Sequence, residues 1–267
     1  LLAAVMHATW NLFLKDSVDR TSTVALMGVI GAIIYFPWVV AVSGLPSGVW
    51  DNLLASSLVH TVYFLALVTA YERVDFSVAY PVARGLAPAL VTLGGWAFLD
   101  DRLLAGEIAA VVVIVLALIG LAWTPGSIAG LEWAGLTGVM IAVYTVVDAA
   151  AVRESGEALA YTVTLTAVST GLLLPFALWK RGFSGVWTAA TARPIALGIA
   201  SILNIGAYAL VLVAATRAPV GLVAAVRESS VVIGAIAGIV FFSEPFGRRR
   251  IAGAVAVALG IIALGLV

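Results

Sequence analysis

The sequence predicts an all-α membrane protein of ten transmembrane helices arranged as two inverted five-helix repeats. Three observations lead there. First, 63% of the 267 residues are hydrophobic and 10% are charged, against about 45–50% and about 25% in soluble domains. So little charge cannot hold a surface in water, and so many apolar residues exclude a disordered chain. Second, the apolar runs are long and continuous instead of alternating with period two, so helices are expected and not barrel strands. Third, the two halves of the chain match each other. The 14 basic residues equal the 14 acidic ones and are scattered, which argues against a nucleic-acid partner. With no cysteine, there is no disulfide, thiol nucleophile or thiolate metal site.

A helix crossing a ~30 Å hydrocarbon core needs about 20 mostly apolar residues. Cutting the chain where charge, proline and glycine cluster gives ten runs: 1–14, 22–42, 53–71, 77–99, 105–123, 133–152, 158–179, 194–216, 219–242 and 251–267. The first is short, about 21 Å at 1.5 Å per residue. The chain opens on Leu1 and closes on Val267 inside an apolar run, so both ends are read as trimmed. His7, Trp10 and Asn11 and the lack of a small-residue cleavage site distinguish run one from a signal-peptide core. These three residues fall at i, i+3 and i+4, forming one polar stripe. The stripe reads either as a wall for an amphipathic substrate or as a packing face.

Run two carries Gly28 and Ala32, a small-residue face that permits close helix contact. Run three holds His60 and Tyr63. Run four holds Arg84 between Pro81 and Pro88, which lie about two turns apart and share a face; proline frees carbonyls and bends a helix. Tyr80 is one turn before Arg84, on the same side. Run five ends at Trp123. Run six carries Tyr144 and, one turn on, Asp148. Run seven ends at Trp179, and run eight carries Asn204 and Tyr208. Run nine holds Arg227, Glu228, Ser229 and Ser230, followed by Gly234 and Gly238; run ten carries Ala252 and Ala256. Trp38, Trp50, Trp123, Trp179 and Trp187 lie near run ends and read as interface anchors.

At an offset of 143, Arg84 falls on Arg227, Gly95 on Gly238, Phe98 on Phe241, Asp101 on Glu244, Ile108 on Ile251 and Ala109 on Ala252. At an offset of 134, Val5, Met6, Ala8 and Trp10 fall on Val139, Met140, Ala142 and Tyr144. The arginine pair and the acidic pair carry the most weight. An odd number of helices per repeat sends the second repeat into the membrane in the opposite direction, as in secondary transporters, whose substrate sites lie near the midplane where repeats meet.

The run His7-Ala8-Thr9-Trp10-Asn11, the stretch Tyr80-Pro81-Val82-Ala83-Arg84-Gly85-Leu86-Ala87-Pro88, the stretch Tyr144-Thr145-Val146-Val147-Asp148 and Arg227-Glu228-Ser229-Ser230-Val231 resemble a branch of the EamA family, within the drug/metabolite transporter superfamily. The acidic turns Asp100-Asp101-Arg102 and Ser243-Glu244-Pro245 resemble the family's Gly-Glu-Arg-like turn without matching it. The resemblance covers the whole chain. It implies a first repeat at 1–123, a second at 132–267, and export of small metabolites, with amino-acid exporters of the YddG type among the characterised relatives. It also implies a multi-pass protein of the cell (inner) membrane with both termini in the cytoplasm. The Lys/Arg tally argues the reverse. Nine basic residues (Lys15, Arg20, Arg73, Lys180, Arg181, Arg193, Arg248, Arg249 and Arg250) lie in one loop set, and Arg102, Arg153 and Arg217 in the other. The positive-inside rule then places the termini outside.

Ionisable residues inside spans are costly and are functional candidates by default. Arg84, Asp148, Arg227 and Glu228 are the full charges here, and they sum to zero. Arg84 presents either a guanidinium fork to a substrate carboxylate or a salt bridge to Glu228 or Asp148. Arg227 and Glu228 are adjacent and point about 100° apart on a regular helix, so one pairs with another helix. Asp148 binds an ammonium, carries a proton, or pairs with Arg153 at the helix end. The candidate substrate-binding residues are therefore His7, Trp10, Asn11, Tyr80, Arg84, Tyr144, Asp148, Arg227, Glu228 and Ser229. No catalytic residue, metal or cofactor is expected, apart from a coupling proton. The expected partners are a small-molecule substrate and the lipid bilayer; a monomer and a homodimer fit equally. The favoured reading is a secondary exporter of amino acids, aromatic and amphipathic ones included, working by alternating access. Against it stand an importer or lipid-carrier flippase of the same fold, and an intramembrane enzyme using Ser229, His60 or His7, and Asp148.

Overall fold

In the computed structural model, the structure describes residues 1–42, 44–73, 76–122, 130–230, 233 and 255–263; within helices, the side chains at 15, 76–81, 118–119 and 121–122 fall outside the described set. The protein is an all-helical membrane protein, with no strand among the described residues. Among the described residues the helices in order are α1 (Leu2–Lys15), α2 (Arg20–Val42), α3 (Trp50–Arg73), α4 (Phe76–Phe98), α5 (Ala105–Ala122), α6 (Leu131–Ser155), α7 (Ala158–Ala192), α8 (Pro194–Ala215) and α9 (Val220–Arg227). Residues 255–263 are also helical. Five helices, α2, α3, α6, α7 and α8, are long and apolar enough to cross a membrane by length and composition. Where the described residues show both ends, the expected run ends agree with these bounds to within a few residues except at the end of α7, where the reason is physical and is given below.

The helices gather into two compact units, and each unit draws on both halves of the sequence. One consists of residues 2–62 and 147–216: α1, α2, the N-terminal part of α3, the end of α6, α7 and α8. Here α2 lies along α7 and α8, and α1 along α8. Close approach is possible because glycines face the neighbours. A Cβ on Gly28 would sit 1.9 Å from Thr170 Cγ2, and one on Gly31 would sit 3.0 Å from the Ser201 carbonyl. The small-residue face expected on α2 is thus used for packing. Val39, Ala160, Val163 and Ile205 fill the space between these helices, and Val49, Leu53, Val152, Tyr161, Leu165 and Leu212 form a second apolar cluster.

The other unit consists mainly of residues 63–146 and 217–267. In it α4 packs on α5 and α9, and Val111, Ile114, Ala225 and Val257 form its core. Gly138 of α6 lies against the Ala83 carbonyl of α4, where a Cβ would come within 2.8 Å. Helices α4 and α6 therefore meet beside Arg84.

Most hydroxyl side chains make their hydrogen bonds inside their own helix. Ser57, Thr61, Thr69, Thr92, Thr137, Thr145, Thr162 and Ser201 each donate to the carbonyl four residues back. In lipid an unsatisfied hydroxyl costs several kcal/mol by order of magnitude. Back-bonding removes that cost without a second helix.

Helix α7 runs past the expected end at 179 to Ala192, 35 residues in all, and breaks at Gly182 (φ 68°, ψ 170°). A straight helix of that length would span about 52 Å, far beyond a ~30 Å core. Glycine accepts the left-handed φ without a Cβ clash, so the spanning part stops after Lys180-Arg181 and a separate helical segment follows.

Candidate functional site

The Arg84, Arg227 and Glu228 side chains, separated in sequence, come together within one unit. Glu228 is fully buried, and Arg84 and Arg227 are 4% and 3% exposed. Arg84 Nε is 2.9 Å from Glu228 Oε2, and Arg84 Nη2 donates to Ser230 Oγ at 2.8 Å. Arg227 Nε lies 3.7 Å from Glu228 Oε1, close enough for attraction but too far for a hydrogen bond. The terminal nitrogens Nη1 and Nη2 of Arg227 are buried with no hydrogen-bond partner among the described residues. Two guanidiniums around one carboxylate leave one net positive charge.

A local irregularity lets adjacent residues do this. Of the run expected over 219–242, the first regular stretch is Val220–Arg227, and 229–230 and 233 are helical again after a turn at Glu228. At Glu228 the backbone tightens (φ −68°, ψ −7°) and its N–H bonds to Ala225 O, three residues back, at 3.1 Å. Such i→i+3 turns inside a helix mark places under constraint. The turn brings the Glu228 carboxylate to Arg84 of α4 while Arg227 stays beside it. The remainder of the expected run, 231–242, lies outside the described residues apart from position 233, and with it Gly234 and Gly238. Ser229 Oγ donates to Val226 O at 2.8 Å, within its own helix.

The start of α9 is held by a residue 119 positions earlier. Val220 N–H donates to Asp101 Oδ2 at 2.7 Å. The acidic turn after α4, where Asp100 adopts a positive φ of 55°, therefore serves as the N-terminal cap of the helix that presents Arg227. Pro219 precedes it and makes no side-chain cap. Asp101→Ala is expected to lower stability by roughly 0.5–2 kcal/mol, read as a lower melting temperature in detergent, with Asp101→Asn close to the parent.

A second polar cluster lies in the other unit. Asp148 of α6 is fully buried. Its Oδ1 accepts from the Tyr161 hydroxyl of α7 at 2.7 Å, and its Oδ2 accepts from the Tyr208 hydroxyl of α8. His60 of α3 packs edge-on against Tyr208, ring centroids 5.7 Å apart, and its Nδ1 lies 3.1 Å from Ser56 Oγ. Four helices thus converge on one carboxylate. Of these residues the sequence singled out Asp148 as a site residue and noted His60 and Tyr208 as weaker signals. Tyr161 and Ser56 were missed, because the pairing depends on which helices become neighbours. Arg153, the alternative partner, donates to Ala215 O at 2.8 Å.

The α1 stripe is linked by hydrogen bonds within itself. Trp10 Nε1 donates to His7 Nδ1 at 3.2 Å with the rings edge-on, and Asn11 Nδ2 donates to His7 O at 2.8 Å. All three are buried. Tyr144 is buried against Tyr63, ring centroids 5.4 Å apart. The side chain of Tyr80 lies outside the described residues.

An all-helical chain with several membrane-spanning lengths and ionic groups enclosed among its helices is a multi-pass membrane protein of transporter type. The chain belongs to the EamA-like transporter family, whose model matches residues 1–123 and again residues 128–266. A solved crystal structure, titled only as that of a protein, is similar over 99% of this chain and 97% of its own at 20% identity, with a TM-score of 0.71. At that identity the likeness is one of fold. No curated protein matches the chain.

Proposed function

We propose that this EamA-family transporter is a secondary exporter of small zwitterionic or amphipathic metabolites, amino acids foremost, across the cell (inner) membrane. In this reading ten spans form two inverted five-helix repeats that work by alternating access. The observation that carries it is Arg227, a buried guanidinium with two terminal nitrogens unpartnered among the described residues, in a cluster with net positive charge. A substrate carboxylate satisfies both nitrogens in bidentate geometry. Arg84 is held by Glu228 and Ser230, so it orients the cluster while Arg227 takes the ligand. Asp148 carries a proton instead of binding an ammonium, because both of its oxygens are already capped by phenols and the group is fully enclosed. Its surroundings from the packed helices are His60, Ser56, Tyr161 and Tyr208.

Proteoliposomes loaded with labelled amino acids, their amides and a panel of amines test the reading. Saturable flux of the carboxylates and none of the amides is expected; no flux of any carboxylate would overturn it. Uptake-only flux would favour an importer, and flux confined to lipid-linked carriers a flippase. Asp148→Asn is expected to keep exchange of labelled for unlabelled substrate at equal pH but to lose accumulation driven by a pH gradient, followed with a trapped pH dye. The enzyme alternative has less behind it, since the Ser229 hydroxyl bonds its own helix.

A further inference from the structure

The segment of α7 beyond Gly182 plays no part in the sites above, and its side chains sort into three sectors. At 100° per residue, Val186, Ala189 and Ala190 share one side, and with Gly185 beside them these are the buried or half-buried positions. Phe183 and Trp187 share the next side; they are 74% and 60% exposed and stack on each other at 6.2 Å with ring planes 14° apart. Ser184, Thr188 and Thr191 share the third, all exposed. Just before the break, Trp179 is 81% exposed, so the aromatic surface continues from the end of the spanning helix into this segment.

Both ends of the segment are tied to the α1–α2 connection. Arg181 Nε is 3.3 Å from Asp19 Oδ2, and Arg193 Nη1 bonds Asp16 Oδ2. These pairs hold Arg181 and Arg193 to Asp19 and Asp16, and in the sequence Lys15, Arg20 and Lys180 adjoin them, five basic residues to two acidic. All five belong to the loop set that the positive-inside tally assigns to the cytoplasm, the side whose leaflet is anionic.

We infer that residues 183–192 form a helix lying in the membrane interface, its Phe183–Trp187 side seated in the acyl boundary, and that it forms with the basic connection a docking surface for anionic lipid headgroups. An interfacial helix needs an apolar aromatic face, a polar opposite face and nearby cations, and all three are present. The break at Gly182 is what turns the chain out of the spanning direction, and the two ion pairs hold the turned segment in place.

The protein has no cysteine, so single cysteines can carry nitroxide labels without background. Phe183→Cys, Trp187→Cys, Ser184→Cys, Thr188→Cys and Thr191→Cys would each be labelled in the full chain. Each would be reconstituted in zwitterionic vesicles, with and without phosphatidylglycerol. Labels at 183 and 187 are expected to collide at least twofold more with oxygen than with a water-soluble nickel complex, and labels at 184, 188 and 191 the reverse. Phosphatidylglycerol should slow the label at 187, and Lys180→Gln should reduce that response. Labels that are all water-exposed would overturn the inference, and so would spectra indifferent to anionic lipid. Neither outcome depends on the transported substrate.

Discussion

Glu228→Ala is expected to abolish folding of most of the protein. The carboxylate is the counter-charge for two guanidiniums, each almost fully buried. Removing one partner of a buried ion pair costs about 3–5 kcal/mol, because it strands the other, and here two are stranded. That is a large share of the roughly 5–15 kcal/mol that separates folded from unfolded chains. Size-exclusion profiles and thermal melts in detergent would show aggregation or a steep fall in melting temperature. The triple variant Arg84→Met, Arg227→Met and Glu228→Met should recover much of the loss, because a buried ionic group replaced whole by apolar side chains of similar size is close to neutral. A Glu228→Ala protein that melts within a few degrees of the parent would show that the carboxylate does not hold this cluster.

Arg227→Met is expected to have the opposite profile: stability kept or raised, transport lost. Arg227 makes one long contact with Glu228, and its terminal nitrogens have no hydrogen-bond partner among the described residues. Deleting it removes an incompletely compensated charge and leaves the Arg84–Glu228 pair whole. A charge-assisted bond to a substrate carboxylate contributes about 1.5–3 kcal/mol, so flux at low substrate should fall about 10- to 100-fold. Arg227→Lys, which keeps the charge but not the fork, should recover part of it. If Arg227→Met lowers the melting temperature and leaves flux intact, the residue is a structural one.

Much of the fold was legible in the sequence because the bilayer imposes a coarse constraint. Roughly 20 apolar residues between polar punctuation announce a helix, and α2, α3, α6 and α8 begin and end within a few residues of that expectation. What the runs did not show, the end of α7 and the turn at Glu228, came from backbone conformation, which hydropathy does not register. Lys180-Arg181-Gly182 reads as the end of a run, but nothing in its composition says that a new helix starts at once. Likewise Arg227-Glu228 on a regular helix diverge by about 100°, and only a tightened turn brings both to one place. The charged candidates were visible because charge is rare in this chain, and the pairing of Arg84 with Glu228 was one of two options weighed. The tyrosines that cap Asp148 were harder. A tyrosine among apolar residues looks like packing until its neighbours are known, and Tyr161 lies in a different helix from the carboxylate it serves. The α1 stripe shows the converse: the spacing of His7, Trp10 and Asn11 puts them on one face, and two hydrogen bonds link them to one another, which spacing alone does not show.

The back-bonded hydroxyls bear on how the chain is made. A helix whose serines and threonines are already satisfied can leave the ribosome and enter lipid alone, without waiting for later spans. Asp148 waits briefly, since Tyr161 follows 13 residues later. Arg84 waits longer for these partners, because Ser230 lies 146 residues downstream and Glu228 just before it. At about 5–20 residues per second, that interval is roughly 7–30 s. During it, the Arg84 guanidinium lacks Glu228 and Ser230, and the insertion machinery, water or lipid phosphates can stand in for them. Biogenesis of this protein should therefore stall or succeed at the emergence of α9.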